Sequence, residues 1–210
     1  MSVDKVRIRN AGNPVGEEGR SVIRAMNGGS HALLAEWGFS LLEGIPEDAT
    51  VLDAGCGGGA NLARWLQRCP SGKIHGLDFS EISVEESCAF NAEAIAAGRC
   101  TVTRGDVSKM PYDEASFDFI SAFETIYFWT DMPTTLREVK RVLKPGGIFL
   151  ICNESDGHDA GAVEASHFID GLNLYDAERL ANLLTEAGFA DIRIIKKEEN
   201  HWLASIAIRK

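Results

Sequence analysis

The chain has 210 residues, a formal net charge of −10, 45% hydrophobic residues and 25% charged residues, enough for one α/β domain with a substantial core and short for two. No apolar run approaches the roughly 18–20 residues of a membrane helix, and the opening "MSVDKVRIRN" lacks the apolar centre of a signal peptide, so a cytoplasmic protein without a membrane partner is expected. The acidic balance weakens long-range attraction to phosphate, which argues against a nucleic-acid partner and makes the small basic ends "KVRIRN" and "IRK" solvated tails.

Residues 1–46 are expected to form a helical cover. "EEGRSVIRAM" and "HALLAEWGFSLLEG" read as helices broken by "NGGS", with Gly28-Gly29 as a flexible joint. From residue 47 onward strands alternate with helices, the pattern of a parallel sheet with crossover helices. "TVLDAG" is the first strand, and "GANLARWLQRC" is a helix stopped by Pro70. "KIHGLDFS" is the second strand. "SEISVEESCAFNAEAIAAG" is one helix capped by Ser80 and stopped by Gly98. "CTVTRGD" and "FDFISAF" are the third and fourth strands. "TDMPTTLREVKRVLKPGG" is a helix with Pro133 in its first turn. Leu136, Val139 and Leu143 lie on its inner face, and Lys144–Gly147 form its terminating turn. "GIFLICN" is the fifth strand. "ESDGHDAGAVEASHFIDGLNLY" is a polar loop long enough to line a site. "YDAERLANLLTEAGF" is a helix capped by Asp176 and stopped by Gly188. "DIRIIKKEENHWLASIAIRK" holds two strands whose short connection forces an antiparallel pair.

The five cysteines are odd in number and contain no C-x-x-C. They are expected to be reduced and structural, most of them beside apolar runs. His158, Asp156 and Asp159 lack a strong ligand spacing, so no metal is expected.

The chemistry starts at "VLDAGCGGGANL", residues 51–62. Gly55, Gly57 and Ala60 fit the dinucleotide fingerprint, with Asp78 at about the right distance. Gly55, Gly57 and Gly59 fit G-x-G-x-G equally well, so the glycines alone leave a nicotinamide dinucleotide and S-adenosylmethionine open. Asp53 weighs toward the second. A carboxylate beside an incoming pyrophosphate costs electrostatic energy, whereas S-adenosylmethionine brings an ammonium and a sulfonium. Asp53 also suits a loop-capping role. Asp78, at the end of the second strand, can accept from ribose hydroxyls. Asp106, after the third, can accept from the adenine amine, with the Val107 amide reaching a ring nitrogen. All these acids fall at carboxyl ends of parallel strands, where open α/β sheets bind ligands.

On these motifs the chain resembles the class I S-adenosylmethionine-dependent methyltransferases. "VLDAGCGGG" is similar to that family's first motif, "GLDFS" to the segment after it, "GDVSKMPYDEASFDFI" to the adenine-holding segment, and "LKPGGIFLI" to the turn into the fifth strand. The resemblance covers roughly residues 47–210. It implies a doubly wound, Rossmann-like, seven-stranded, mostly parallel sheet. Its C-terminal antiparallel pair would place the seventh strand between the fifth and sixth. It implies S-adenosyl-L-methionine as cofactor, held by Asp53, Gly55, Cys56, Gly57, Gly59, Asp78, Phe79, Asp106, Val107 and Glu124.

The expected activity is methyl transfer to a small-molecule acceptor, with a homodimer left open. Because methyl transfer needs mainly alignment of the reacting atoms, no catalytic signature is required. His31, Tyr127 and Glu124 are the candidates for acceptor chemistry, and Trp129 could also face the substrate. Asn153 and Glu154 are more plainly a polar strand end. "FETI" after the fourth strand lacks the signature of amino-methylating nucleic-acid enzymes, and no Pro-Cys pair offers a cytosine C5 nucleophile. The alternatives are an NAD(P)-dependent oxidoreductase and a non-catalytic S-adenosylmethionine-binding module.

Overall fold

The structure, a computed structural model, describes residues 5–167, 169 and 171–210. The sheet is built from β1 (Thr50–Ala54), β2 (Lys73–Asp78), β3 (Cys100–Arg104), β4 (Phe117–Phe123), β5 (Leu143–Asn153), β6 (Phe189–Lys197) and β7 (Trp202–Arg209). The strand order is β3-β2-β1-β4-β5-β7-β6. β1 pairs in parallel with β2 and β4, β2 with β3, and β4 with β5, while β7 runs antiparallel to both β5 and β6. This is the expected doubly wound arrangement. The chain winds one way from β1 to β3 and the other way from β4 onward, leaving a crevice at the carboxyl ends of β1 and β4.

Helices α1 (Lys5–Gly12), α2 (Gly16–Met26) and α3 (Gly29–Ser40) precede the sheet; α4 (Ala60–Arg68), α5 (Glu81–Phe90), α6 (Ala92–Ala96), α7 (Met132–Val142), α8 (Ala160–Ser166) and α9 (Ala177–Glu186) connect its strands. Alternate residues of β1 serve opposite layers, because a parallel strand is covered on both faces. Leu52 packs with Ile120, Leu136 and Leu180, whereas Val51 packs with Leu62, Trp65 and Phe39. Side-chain caps hold the helix starts as their residue types predict. Ser80 accepts from the Ser83 amide at 3.3 Å, Asp131 from Thr134 at 3.1 Å and Asp176 from Arg179 at 2.8 Å.

Several boundaries differ from expectation. The helix after Ser80 breaks at Asn91, whose side-chain amide donates to the Gly59 and Ser87 carbonyls, both at 3.0 Å. The asparagine interrupts the helix to hold the glycine loop. Leu143 is extended and pairs with Phe117, so β5 already includes Lys144–Gly147 and a register irregularity absorbs the turn. Leu143 is still buried, but as a strand residue. The region between β5 and α9 is not all loop, since Asp159 accepts from the Ala162 amide at 2.7 Å and starts α8. Phe168 and Asp170 of that segment lie outside the described residues. Both basic ends run into secondary structure. "KVRIRN" belongs to α1, and Arg209, in β7, donates to the carbonyls of Arg141 and Leu143 and to Glu114. Residues 1–4 lie outside the described residues. All five cysteines are unpaired; Cys56, Cys69, Cys100 and Cys152 are buried. No described helix is long and apolar enough to cross a membrane.

The N-terminal helices lie over the crevice. From α2, Arg20 donates to Glu85 and Glu86, and Arg24 donates to Glu86, each at 2.6 Å, tying α2 to α5. Gly38 of α3 brings that helix close against Cys152 and Phe123, where a Cβ would come within 2.8 Å of both side chains. Gly12 at the end of α1 abuts the Phe128 ring.

Candidate active site

A cavity of about 340 Å³ opens at the crevice, walled by the glycine loop, the ends of β2 to β4 and the overlying α1–α3 segment. Its floor is the loop between β1 and α4. Gly55, Gly57 and Gly59 take left-handed φ values of 86°, 50° and 84°, a region that side chains with a Cβ disfavour. At Gly55 a Cβ would also lie 2.1 Å from Thr125 Oγ1. Gly55→Ala therefore combines backbone strain with a clash and is expected to cost about 2 kcal/mol or more. Urea unfolding checks it, and an unchanged midpoint would contradict it.

Asp78 ties the loop to β2. Its Oδ2 accepts from the Gly57 amide at 3.0 Å and its Oδ1 from the Ser80 amide at 2.9 Å. The carboxylate is buried yet lines the cavity, and each oxygen keeps lone-pair capacity beyond its backbone bond. Burial raises its proton affinity, opposed by the Ser80 and Gly57 amides. Phe79 lines the wall beside it with half its surface exposed. Asp106 and Val107 complete this side after β3. Asp106 Oδ1 accepts from the Ser108 amide at 2.7 Å, shaping the turn. Cys56, Gly57, Asp78, Phe79, Asp106 and Val107 thus share one wall.

Asp53 is placed differently. It is 1% exposed and lies outside the cavity lining. Its Oδ1 accepts from Ser121 Oγ at 2.6 Å, and Ser121 accepts in turn from Trp65 Nε1 at 2.9 Å. Burial, reinforced by the Asp78 charge, pushes its carboxyl up to about 7. β1 turns this side chain into the layer beneath the loop, so any effect on a ligand passes through the floor.

On the opposite side, His31 and Glu124 share the wall, with His31 Nδ1 4.0 Å from Glu124 Oε2. Glu124 has a left-handed backbone, φ 60°, unusual outside glycine and common at functional sites. Its Oε1 accepts from the Glu154 amide. Burial first, then the neighbouring Glu154 charge, push the Glu124 carboxyl well above the usual range. Tyr127 is not in this wall. The 3-10 turn Ile126–Phe128 directs Phe128 to the cavity and Tyr127 into the core, where its hydroxyl accepts from the Ser155 amide at 3.0 Å. Trp129 does line the cavity. Of the strand-five end, Asn153 is fully buried, and Glu154 approaches His31 and Glu124 from outside the cavity lining. Asp156 instead faces His201 at 3.4 Å and Lys196 at 3.9 Å.

Asn27 and Thr125 were not assigned site roles from sequence. Asn27 Nδ2 donates to the Gly58 carbonyl at 3.0 Å, fastening the cover to the loop. A Cβ on Gly58 would collide with that side chain at 2.6 Å. Their signal is a close approach across the fold, which spacing along the chain does not carry.

The family model for a methyltransferase domain matches residues 52–151. Residues 52–151 belong to the class I S-adenosylmethionine-dependent methyltransferase family. It is 29% identical over 153 residues to an O-methyltransferase of Penicillium expansum, covering 71% of this chain and 55% of that protein. It is 30% identical over 151 residues to a dimethylglycine N-methyltransferase of Parasynechococcus marenigrum, covering 70% and 50%. The matched part of the chain spans about half the length of these relatives. A crystal structure of a SAM-dependent methyltransferase from Aquifex aeolicus superposes with a TM-score of 0.75 at 21% identity, covering 91% of this chain and 98% of that one. Its likeness is one of fold.

Proposed function

We propose that this methyltransferase-family protein is a cytoplasmic enzyme that methylates a small-molecule acceptor, with residues 1–46 covering the site on a catalytic domain of residues 47–210. The cofactor is S-adenosyl-L-methionine, which when bound supplies a methyl group activated on a cationic sulfur. The observation that carries this reading is the shared wall of Gly57, Asp78, Asp106 and Val107 at the ends of adjacent strands. Its donor set suits the cofactor. The glycines leave a cradle without Cβ atoms, Asp78 offers acceptors to ribose hydroxyls, and Asp106 with the Val107 amide offers an acceptor and a donor to adenine. Asp53 braces the floor from below. The unpaired cysteines suit a reducing compartment.

The acceptor would lie between the loop and the α2–α3 cover, against Phe128, Trp129, His31 and Glu124. Apolar groups here exclude water, and the wall orients the acceptor, the contribution a displacement reaction needs most. Relatives described as O-, N- and sterol C-methyltransferases leave the acceptor atom open.

Isothermal titration tests the reading. S-adenosylmethionine and S-adenosylhomocysteine should bind and NADH should not. Heat with NADH alone would return the glycine loop to the dinucleotide class. Binding of the sulfur nucleosides with no methyl transfer to any acceptor in a broad metabolite panel would favour a non-catalytic binding module.

A further inference from the structure

Three potential ligand atoms, one each from His31, Glu124 and Glu154, lie within 4.8 Å of one another. They come from α3 and from the segments after β4 and β5, so only the folded chain assembles them. His31 Nδ1 is buried and has no hydrogen-bond partner. Glu124 Oε1 accepts from the Glu154 amide, and the Tyr127 and Glu154 side chains also reach this carboxyl, whose Oε2 lies 4.0 Å from His31 Nδ1.

Spacing and charge together bear on the ligand. A divalent ion at about 2.1 Å from each donor would draw neighbouring donors to about 3.0–3.4 Å apart. An ammonium donating at about 2.8 Å along tetrahedral directions places its acceptors about 4.6 Å apart. At 4.0 Å, the His31 Nδ1–Glu124 Oε2 pair is wider than the first geometry and within reach of the second. Charge agrees with it, because two carboxylates held close repel each other, and a cation between them relieves that repulsion. The lining also carries Phe128, Trp129, Ile23 and Leu34, and aromatic faces favour cations.

We propose that His31, Glu124 and Glu154 form a recognition site for the protonated amine of an acceptor that carries an apolar body. This rests on the methyltransferase reading and narrows it to nitrogen acceptors. The ammonium donates its N–H groups to Glu124 Oε2, to His31 Nδ1 and to the Glu154 carboxylate. One proton then passes from nitrogen to Glu124 Oε2, leaving a neutral amine with a free lone pair and a carboxylic acid on the protein. The raised proton affinity of Glu124 suits it to that role.

The test uses the full chain saturated with S-adenosylhomocysteine, so that probes meet only the acceptor side. The probes are benzylammonium, benzyl alcohol and benzoate, titrated calorimetrically at pH 7.5 with and without EDTA. Benzylammonium should bind roughly tenfold or more tighter than benzyl alcohol, and benzoate weakest. Glu124→Gln should erase the preference. Glu154→Gln, at an exposed site, should reduce it by roughly threefold. Equal or tighter binding of the alcohol or benzoate, no binding of benzylammonium, or a preference surviving in Glu124→Gln would overturn the proposal. A preference abolished by EDTA would overturn it in favour of a metal site. A large loss of S-adenosylhomocysteine affinity in Glu124→Gln would overturn it by giving the cluster to the cofactor. Failure of the wild type to bind S-adenosylhomocysteine at all would bring down the methyltransferase reading as well.

Discussion

Asp78→Ala should raise the dissociation constant for S-adenosylhomocysteine roughly 100-fold, about 2.7 kcal/mol. The carboxylate has two tasks. Inward, it accepts from the Gly57 and Ser80 amides at 3.0 and 2.9 Å and so fixes the loop between β1 and α4 against the turn after β2. Toward the cavity, it would accept from the ribose hydroxyls. Alanine removes both and leaves two amide donors without a partner in a largely buried place. Asp78→Asn separates the tasks. It keeps the shape, but its NH₂ group must face one of the two backbone amides, donor against donor. Asparagine should therefore recover little of the lost affinity. Calorimetry on the wild type and both variants checks this, and wild-type affinity in Asp78→Ala would remove Asp78 from the cofactor site.

Asp53→Asn should stabilise the protein at pH 8 by on the order of 2 kcal/mol and change it little at pH 4. The reason is proton linkage. In the unfolded chain this carboxyl ionises near its ordinary value, 3.8, whereas in the fold it holds its proton up to about 7. Between those values the folded state binds more protons than the unfolded one, so stability falls as pH rises. Burial is the main cause, followed by the Asp78 charge; the Ser121 hydrogen bond and the Arg64 charge act the other way. Asparagine is neutral throughout and can still accept from Ser121 Oγ. Its second amide atom must be accommodated in the core, which offsets part of the gain. Comparing wild type and variant isolates this one group, because Glu124, also raised by burial, is common to both. Urea unfolding at pH 4, 6 and 8 tests it. A variant less stable than wild type at pH 8 would show that the ionised carboxylate supports the fold. If the same variant weakens S-adenosylhomocysteine binding, the charge of Asp53 reaches the ligand through the floor of the loop.

The strands and the glycine loop were legible because their causes are local. Runs such as "TVLDA" and "GIFLICN" have the apolar continuity of a strand covered on both faces. Gly55, Gly57 and Gly59 stand where left-handed backbone is needed, and Ser80, Asp131 and Asp176 cap helices through amides only three residues away. Asp78 and Asp106 were readable for a related reason, since one ends β2 and the other follows β3, beside the crevice where this topology binds ligands. The short link before Trp202 dictated the antiparallel pairing of β6 and β7.

What sequence alone could not decide was which side of a backbone a side chain takes and what lies across from it. The period of a strand does not say that Asp53 turns inward to Ser121 while Asp78, on the neighbouring strand, lines the cavity. Nor does it say that a 3-10 turn sends Tyr127 into the core and Phe128 to the wall. Asn91 looked like one more helical residue because its partner, the Gly59 carbonyl, is distant in the chain. The meeting of His31, Glu124 and Glu154 joins segments far apart in sequence. Local hydrogen bonding and apolar periodicity are written into neighbouring residues, so the chain itself determined the fold and the cofactor loop. Burial, desolvation and contacts between distant segments exist only once the layers have packed, and these decided which side chains meet at the wall of His31 and Glu124.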